Sequence, residues 1–596
     1  MGDPRIWDFD AITMKTPNTT APPFTPAPNA TTAVLNGTTF NSGWALLRSC
    51  PLRKKYTTYA VGIILMFWWL KSRLDLTPAQ ISKHYYPPTA STTYLGQGLF
   101  ERIPLPGFCN NGIPGKISCD DLRHDGTIGV QQSFHLHDDL TQVAKAMESH
   151  PLVDYEGKNR SLPFEQLVNE NWARLAGSSV WLPDFEVYLA VTRVIYVPGG
   201  VLHWPTISFI RGQMFDKDWN HMENYTISWN GEKVTFPVVF EIPVTWEKGD
   251  IFFGPEDPRI ILEEGVEGAE PVIIFNMRFD PPEWPRAMWI HRPFSNFTTV
   301  LTIRNDDGNG VEKNWAPFFH TDPDLSANPN RLPNQQLHFV YSFKPLRILR
   351  CHLLNGYCSW VFEQKIPDQF ALRHGDTHGD MRGGTNFMPV PMKTHPGIRV
   401  YVGFPRTHID WGCEPNSTYR PELVIMSSVG SNFHIVYASD AIDFGHAVLD
   451  ETALRNSCAE GHILIANSIS RWDLSNGQDI MTLSLTVADK TVQITRLHGV
   501  GTFIQRLPYF ADFLRHDVSQ GGETLWNFRW SAVGNDVLAC SVEAAGRSSL
   551  GSAIEAEVRR NETLGLLRDD VDKEEEKPSQ QGHDSQETQE ELQESS

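Results

Sequence analysis

The sequence predicts a mostly β region, a sandwich, a barrel or a propeller, and three observations point there. Twelve short apolar segments follow one another: VYLAVTRVIYV from Val187, TISFI, VTFPVVFEI, PVIIFNM, TTVLTI, LHFVYSF, IRVYVGF, ELVIM, FHIVYA, HILIANSI, IMTLSLTV and TVQITRL ending at Leu497. Gly, Pro, Asn and Asp separate them, as turns between strands require. Long helical windows are missing beyond Val180, so the alternation of strand and helix that a doubly wound sheet needs is absent. The spacing suits a propeller of several four-stranded blades, although no internal repeat is legible.

The flanks differ in character. Residues 1–55 begin with a Thr-, Pro- and Asn-rich tract (TPNTTAPPFTPAPNATT) too poor in periodic hydrophobicity to fold alone, and are read as a disordered cytosolic tail. Residues 56–70, YTTYAVGIILMFWWL, form an uncharged run. As a helix it spans about 22 Å, short of the roughly 30 Å hydrocarbon core but long enough for a short signal-anchor in a thinner early-secretory membrane. Arg48, Arg53, Lys54 and Lys55 precede it, which places the N-terminus in the cytosol and the bulk of the chain in the lumen of the Golgi or another secretory membrane. Asn224 and Asn296 head glycosylation sequons on that lumenal side, as do Asn159, Asn416 and Asn561. Residues 71–179 read as a stem and accessory subdomain of mixed α/β character, with helical spacing at Asp139–Met147 and Phe164–Leu175. Residues 180–545 are the β region and 546–596 an acidic disordered tail.

Charge narrows the function. The formal net charge is −20, which argues against a nucleic-acid partner. Asp569–Ser596 alone holds eleven acids against two lysines, so the body is only mildly acidic. Seven of the eight cysteines follow residue 70, and both Cys109 with Cys119 and Cys351 with Cys358 are spaced for small disulfide loops, although spacing does not fix the connectivity.

The chemistry concentrates in GPEDPRIIL, Gly254 to Leu262, where charged residues interrupt an apolar passage. Glu256, Asp257 and Arg259 are expected at a turn between buried strands, and Pro258 should hold Asp257 in extended conformation. A fixed carboxylate beside an arginine suits a reaction that needs a base next to developing negative charge. Further polar knots stand at strand ends: Lys313 and Asn314 in EKNWAPF, Lys344 and Arg347 in FKPLRIL, Arg382, Gly383 and Gly384 in RGGTNF, Arg406 and His408 in PRTHI, and Asp489 in TVADKT. In a propeller such loops converge at one end of the axis, where Arg and Lys would hold an anionic ligand.

GPEDPRIIL, PVIIFNM, EKNWAPF and LHFVYSFKPLRIL, in that order, resemble the inverting β-mannoside phosphorylases of glycoside hydrolase family 130, which are five-bladed propellers. The wider pattern, with its anchor, RGGTNF, GFPRTHI and YRPELVIM, is closer to the fungal β-mannosyltransferases of glycosyltransferase family 91, and this resemblance covers about Tyr85 to Ala545. It implies an inverting transferase that moves mannose from GDP-α-mannose onto α-mannosyl acceptors of cell-wall glycans, typically in β-1,2 linkage. By the phosphorylase pattern Asp257 is the catalytic base, with Glu256 and Arg259 beside it. Lys313, Asn314, Arg382, Gly383, Gly384, Arg406 and His408 form the substrate site, and Asp489 holds the donor mannose. Glu256 raises the pKa of Asp257 and Arg259 lowers it, and the sequence leaves the balance open. The scheme requires no cofactor and names no metal ligand; a divalent ion such as manganese stays open. The rival readings are a phosphorylase or hydrolase, a membrane-tethered mannan-binding lectin, and a metal-dependent α/β transferase using Asp216 and Asp218 or Asp322 and Asp324.

Overall fold

The computed structural model describes residues 128–507 except 155–161, 199, 203, 279–285, 305–310, 321–331, 365–377, 391–396, 410–417, 443, 445–462 and 475–476, together with 97–99, 123–125 and 538. The chain divides into two compact units, Met1–Leu76 and Thr77–Ser596, and all of these residues belong to the second. The anchor expected at 56–70 and both tails lie outside the described residues; no helix among those described is long and apolar enough to cross a membrane.

Five antiparallel sheets form the blades of a propeller, as the resemblance implies. Blade 1 contains Trp172–Leu182, Val187–Tyr196, Ile207–Phe215 and Val238–Val239. Blade 2 contains Glu256–Ile261, Val272–Arg278, Arg286–Arg292 and Phe297–Val300. Blade 3 runs from Ala316–Phe318 outward through Gln336–Phe343 and Leu346–His352 to Tyr357–Glu363. Blade 4 is built on Thr418–Val429, which pairs with Ile398–Gly403, Arg406–Ile409 and Asn432–Ala441. Blade 5 contains Leu464–Asp473, Ile480–Val487 and Thr491–His498, and its fourth strand is Gly129–His135 from the start of the domain. That pairing closes the ring by covering an edge that would otherwise offer free backbone groups. Asp138, just beyond the closing strand, locks it to blade 1 through a buried ion pair with Arg211 at 2.9 Å.

All twelve expected segments fall on strands. The propeller also takes in Gly129–His135 and the start of Trp172–Leu182, inside the interval 71–179 where an accessory subdomain was expected. Helices occur there at Leu140–Ala146, capped by the Asp139 carboxylate, and at Phe164–Asn171. Cys351 and Cys358 oppose each other on neighbouring strands of blade 3 and are joined by a disulfide.

The inner strands expose edges to the axis, and small polar side chains satisfy them. Ser178 Oγ of blade 1 accepts from Ile260 N of blade 2 at 3.0 Å. Asn467 Nδ2 of blade 5 donates to Gly177 O at 2.8 Å, and Ser179 N donates to Ser468 Oγ at 2.8 Å. Asn386 Oδ1 of blade 4 accepts from Ile469 N of blade 5 at 2.9 Å. This girdle ties four blades together at mid-height and leaves the N-terminal ends of the inner strands free to carry a site.

Candidate active site

Asp257 stands at the start of the inner strand of blade 2, at a bulge where the register with Val272–Arg278 skips from Glu256 to Arg259. Its φ is 51°, in the left-handed region, so the extended conformation expected from Pro258 is not the one adopted. Surrounding contacts override the local preference: Asn276 Nδ2 donates to Glu256 O at 3.3 Å, and Arg259 Nη1 donates to Pro258 O at 3.0 Å. Phe252, Asn314, Ala488 and Asp489 also have positive φ. Several strained non-glycine residues around one mouth are what a pre-organised site stores.

Arg259 is buried and spans to blade 4, where its Nε donates to Gly384 O at 2.9 Å. Gly384 has φ 92°, and a Cβ there would fall 2.0 Å from Phe404 O, so no other residue fits. Arg406, buried on blade 4, donates from Nη2 to Asn314 Oδ1 at 2.8 Å, while its Nη1 is buried without a partner. A Cβ on Gly383 would lie 3.0 Å from Arg406 Nη1 and 3.1 Å from Asn314 Cβ. The loop before blade 3 is pinned by Glu312, whose carboxylate accepts from Trp315 Nε1 at 3.0 Å and Tyr341 OH at 3.1 Å. Lys313 is thereby presented to solvent at the mouth.

These cations settle the balance that sequence leaves open. Burial pushes the Asp257 carboxyl up, but Arg193, Arg259, Arg406 and Lys313 outweigh it and hold the group below the ordinary carboxylate range. Glu256 is otherwise engaged. Its Oε1 accepts from Arg286 Nη2 at 2.8 Å and lies 3.4 Å from Arg193 Nη2. Burial and the Arg406 charge lower Arg259 to about 10, against the opposing pull of Asp257.

A cavity of about 190 Å³ opens beside Glu256, lined by Arg193, Arg286, Asp489 and Phe252 among others. Asp489, in the hairpin turn of blade 5, therefore faces the same space as Glu256. Arg382 is paired in register with Arg406 and is exposed. His408 stacks on Tyr419 with ring centroids 4.9 Å apart, and Arg406 lies over the same ring. Arg347 belongs elsewhere, over Trp360 at 3.9 Å. Asp216 spends its carboxylate on a turn, accepting from Asp218 N and Asn220 N at 2.9 Å each. Among the described residues no group of His, Cys, Asp and Glu is arranged to hold a metal ion; Asp322 and Asp324 lie outside them.

A sequence model of the β-mannosyltransferases matches residues 118–280 and 290–547. The chain belongs to the β-mannosyltransferase family. β-Mannosyltransferase 1 of Komagataella phaffii is 32% identical over 469 residues, covering 74% of this chain and 70% of that one. β-Mannosyltransferase 2 of the same yeast is 32% identical over 478 residues, covering 76% and 72%. β-Mannosyltransferase 3 of Candida albicans is 30% identical over 455 residues, covering 71% and 78%. The chain is thus a glycosyltransferase with β-mannosyltransferase activity, and a purely sugar-binding role is set aside. In a β-mannosyltransferase, a carboxylate framed by cations can take a proton while the cations receive an anionic leaving group. Sequence reasoning missed Arg193 and Arg286. Arg193 had a signal: a lone arginine inside VYLAVTRVIYV must find a partner once that strand is buried.

Proposed function

We propose that the donor is GDP-α-mannose, that the acceptor is an α-mannosyl glycan of the cell wall, and that mannose is transferred with inversion to give a β-1,2 linkage. Asp257 takes the proton of the acceptor hydroxyl as its oxygen bonds to C1 of mannose. The C1–O bond to phosphate breaks on the opposite face, and GDP leaves with the bonding electrons. The observation that carries this reading is the enclosure of one carboxylate by Arg193, Arg259, Arg406 and Lys313. Of these cations Lys313 and Arg406 suit a diphosphate, to which they can donate hydrogen bonds as charge develops. A diphosphate on Lys313 and Arg406 also offsets charges that hold Asp257 low, so donor binding raises the basicity of the carboxylate when it is needed. Asp489 and Glu256 face the cavity beside Asp257, and the reading places the donor mannose there, with Asn314, Arg382, Gly383, Gly384 and His408 around the nucleotide side. The test is direct: purified full-length chain, GDP-mannose and an α-mannooligosaccharide, with the product linkage read by NMR. A β-1,2-mannoside supports the reading. Formation of mannose 1-phosphate from β-mannosides and phosphate would replace it with a phosphorylase.

The reading also places the chain in a Golgi membrane through residues 56–70, with the propeller lumenal, on the strength of the basic residues before that run. Protease protection of a C-terminal tag in sealed vesicles checks it.

A further inference from the structure

The rim of the cavity carries a side chain that the transfer scheme leaves unused. Trp204 is 60% exposed, whereas Trp315 and Trp472 are buried and spend their N–H groups on Glu312 and Asp479. An exposed aromatic at the edge of a polar pocket offers an apolar face beside hydrogen-bonding groups, the combination a sugar ring can use. Leu202 and Pro205, on either side of Trp204, line the cavity with Arg193 and Glu256, and so does Phe252. The Trp204 and Phe252 rings are 5.9 Å apart at 40°. The backbone beside Trp204 is hydrogen-bonded: Trp204 N donates to Val201 O at 2.9 Å, and Phe252 N donates to Pro205 O at 2.8 Å.

We propose that Trp204, backed by Phe252, is a stacking platform for an acceptor sugar beyond the residue that receives mannose, its ring covering the C–H face of a pyranose. The proposal rests on the reading above and deepens it. Inversion requires the acceptor to enter opposite the leaving group. In the order of the blades, Lys313 at the entry to blade 3 and Arg406 of blade 4 follow blade 2, which carries Asp257, whereas Trp204 belongs to blade 1, which precedes it. The diphosphate and the acceptor chain therefore take opposite sides of blade 2.

The experiment compares the full-length wild type with Trp204→Ala and Trp204→Phe, using GDP-mannose and α-1,2-mannooligosaccharides of increasing length. In Trp204→Ala the KM for longer acceptors rises about three- to tenfold, the value a lost aromatic contact carries. The KM for GDP-mannose does not move, and Trp204→Phe restores acceptor affinity. An unchanged acceptor KM at every length overturns the proposal, and so does a rise in the KM for GDP-mannose alone, which would make Trp204 a guanine contact. Saturation-transfer NMR with α-mannotetraose and no donor separates this from the wider reading. If the wild type fails to use GDP-mannose yet binds the tetraose and Trp204→Ala does not, the platform stands and the donor assignment falls; if wild type and variant bind it equally, or neither binds it, the platform falls.

Discussion

The mouth of the propeller and its girdle follow opposite rules. At the girdle, Ser178, Ser179, Asn386, Asn467 and Ser468 are buried and their side chains hydrogen-bond across the blades, with no buried side-chain atom left partnerless. At the mouth, Arg193 Nε, Arg406 Nη1 and Asn276 Oδ1 are buried without one, and Asp257, Asn314 and Asp489 sit at positive φ. The girdle uses hydrogen bonds to hold blades in place. The mouth keeps hydrogen-bonding capacity unspent, at a cost of roughly 1–3 kcal/mol for each orphaned group, which the girdle offsets. Stability and function are therefore carried by different sets of residues.

Substitutions at the two heights should break different properties. Asp257→Asn removes the base without changing shape, so mannosyl transfer per folded molecule should fall on the order of 10²- to 10⁴-fold. Near wild-type transfer by that variant would sink the assignment. At the girdle, Asn386→Ala strips both partners from the Ile469 peptide and should cost roughly 1–3 kcal/mol in a denaturant titration, with the rate per folded molecule kept. A subtler change at the mouth is Arg193→Met. Asp257 must be ionised to act, so kcat/KM falls as pH drops through its depressed pKa. Removing Arg193, the strongest of the lowering charges, should shift that acid limb to higher pH. An unmoved limb would make Arg193 a structural partner of Glu256 only.

The β character was legible because buried strands must be apolar, and Asp257 and Arg259 were legible because charge inside such a passage demands a reason. The strands that complete the ring were not. Gly129–His135 reads GVQQSFH, too polar to announce a strand, and is recognised only through its pairing with Thr491–His498. Trp172–Leu182 carries the small and polar residues LAGSS because its central part faces the girdle rather than a greasy layer. The backbone of Asp257 escaped for a related reason. The proline rule is local, whereas the bulge is imposed by Asn276 and Arg259 from the neighbouring strand and from within. The partners of Glu256 escaped because Arg193 and Arg286 come from two other strands.

The smallest predicted effect separates the two regions by pH. His291 and His338 are buried away from the mouth, and burial holds them at about 4 and about 3 against an ordinary 6.5, His320 and Arg350 adding to the shift at His338. Both are neutral in the fold, so below pH 6.5 the unfolded chain binds protons that the folded chain refuses. The stability they contribute is complete above 6.5 and is lost as pH falls through 4 and then 3. Melting temperature should therefore decline with acidification, and His338→Phe, placed beside Phe318 in an aromatic cluster, should flatten that decline. The acid limb of kcat/KM should not move in the same variant, because Asp257 and its cations, not the buried histidines, set it. A shift of that limb in His338→Phe would join the two regions and defeat the separation between mouth and interior.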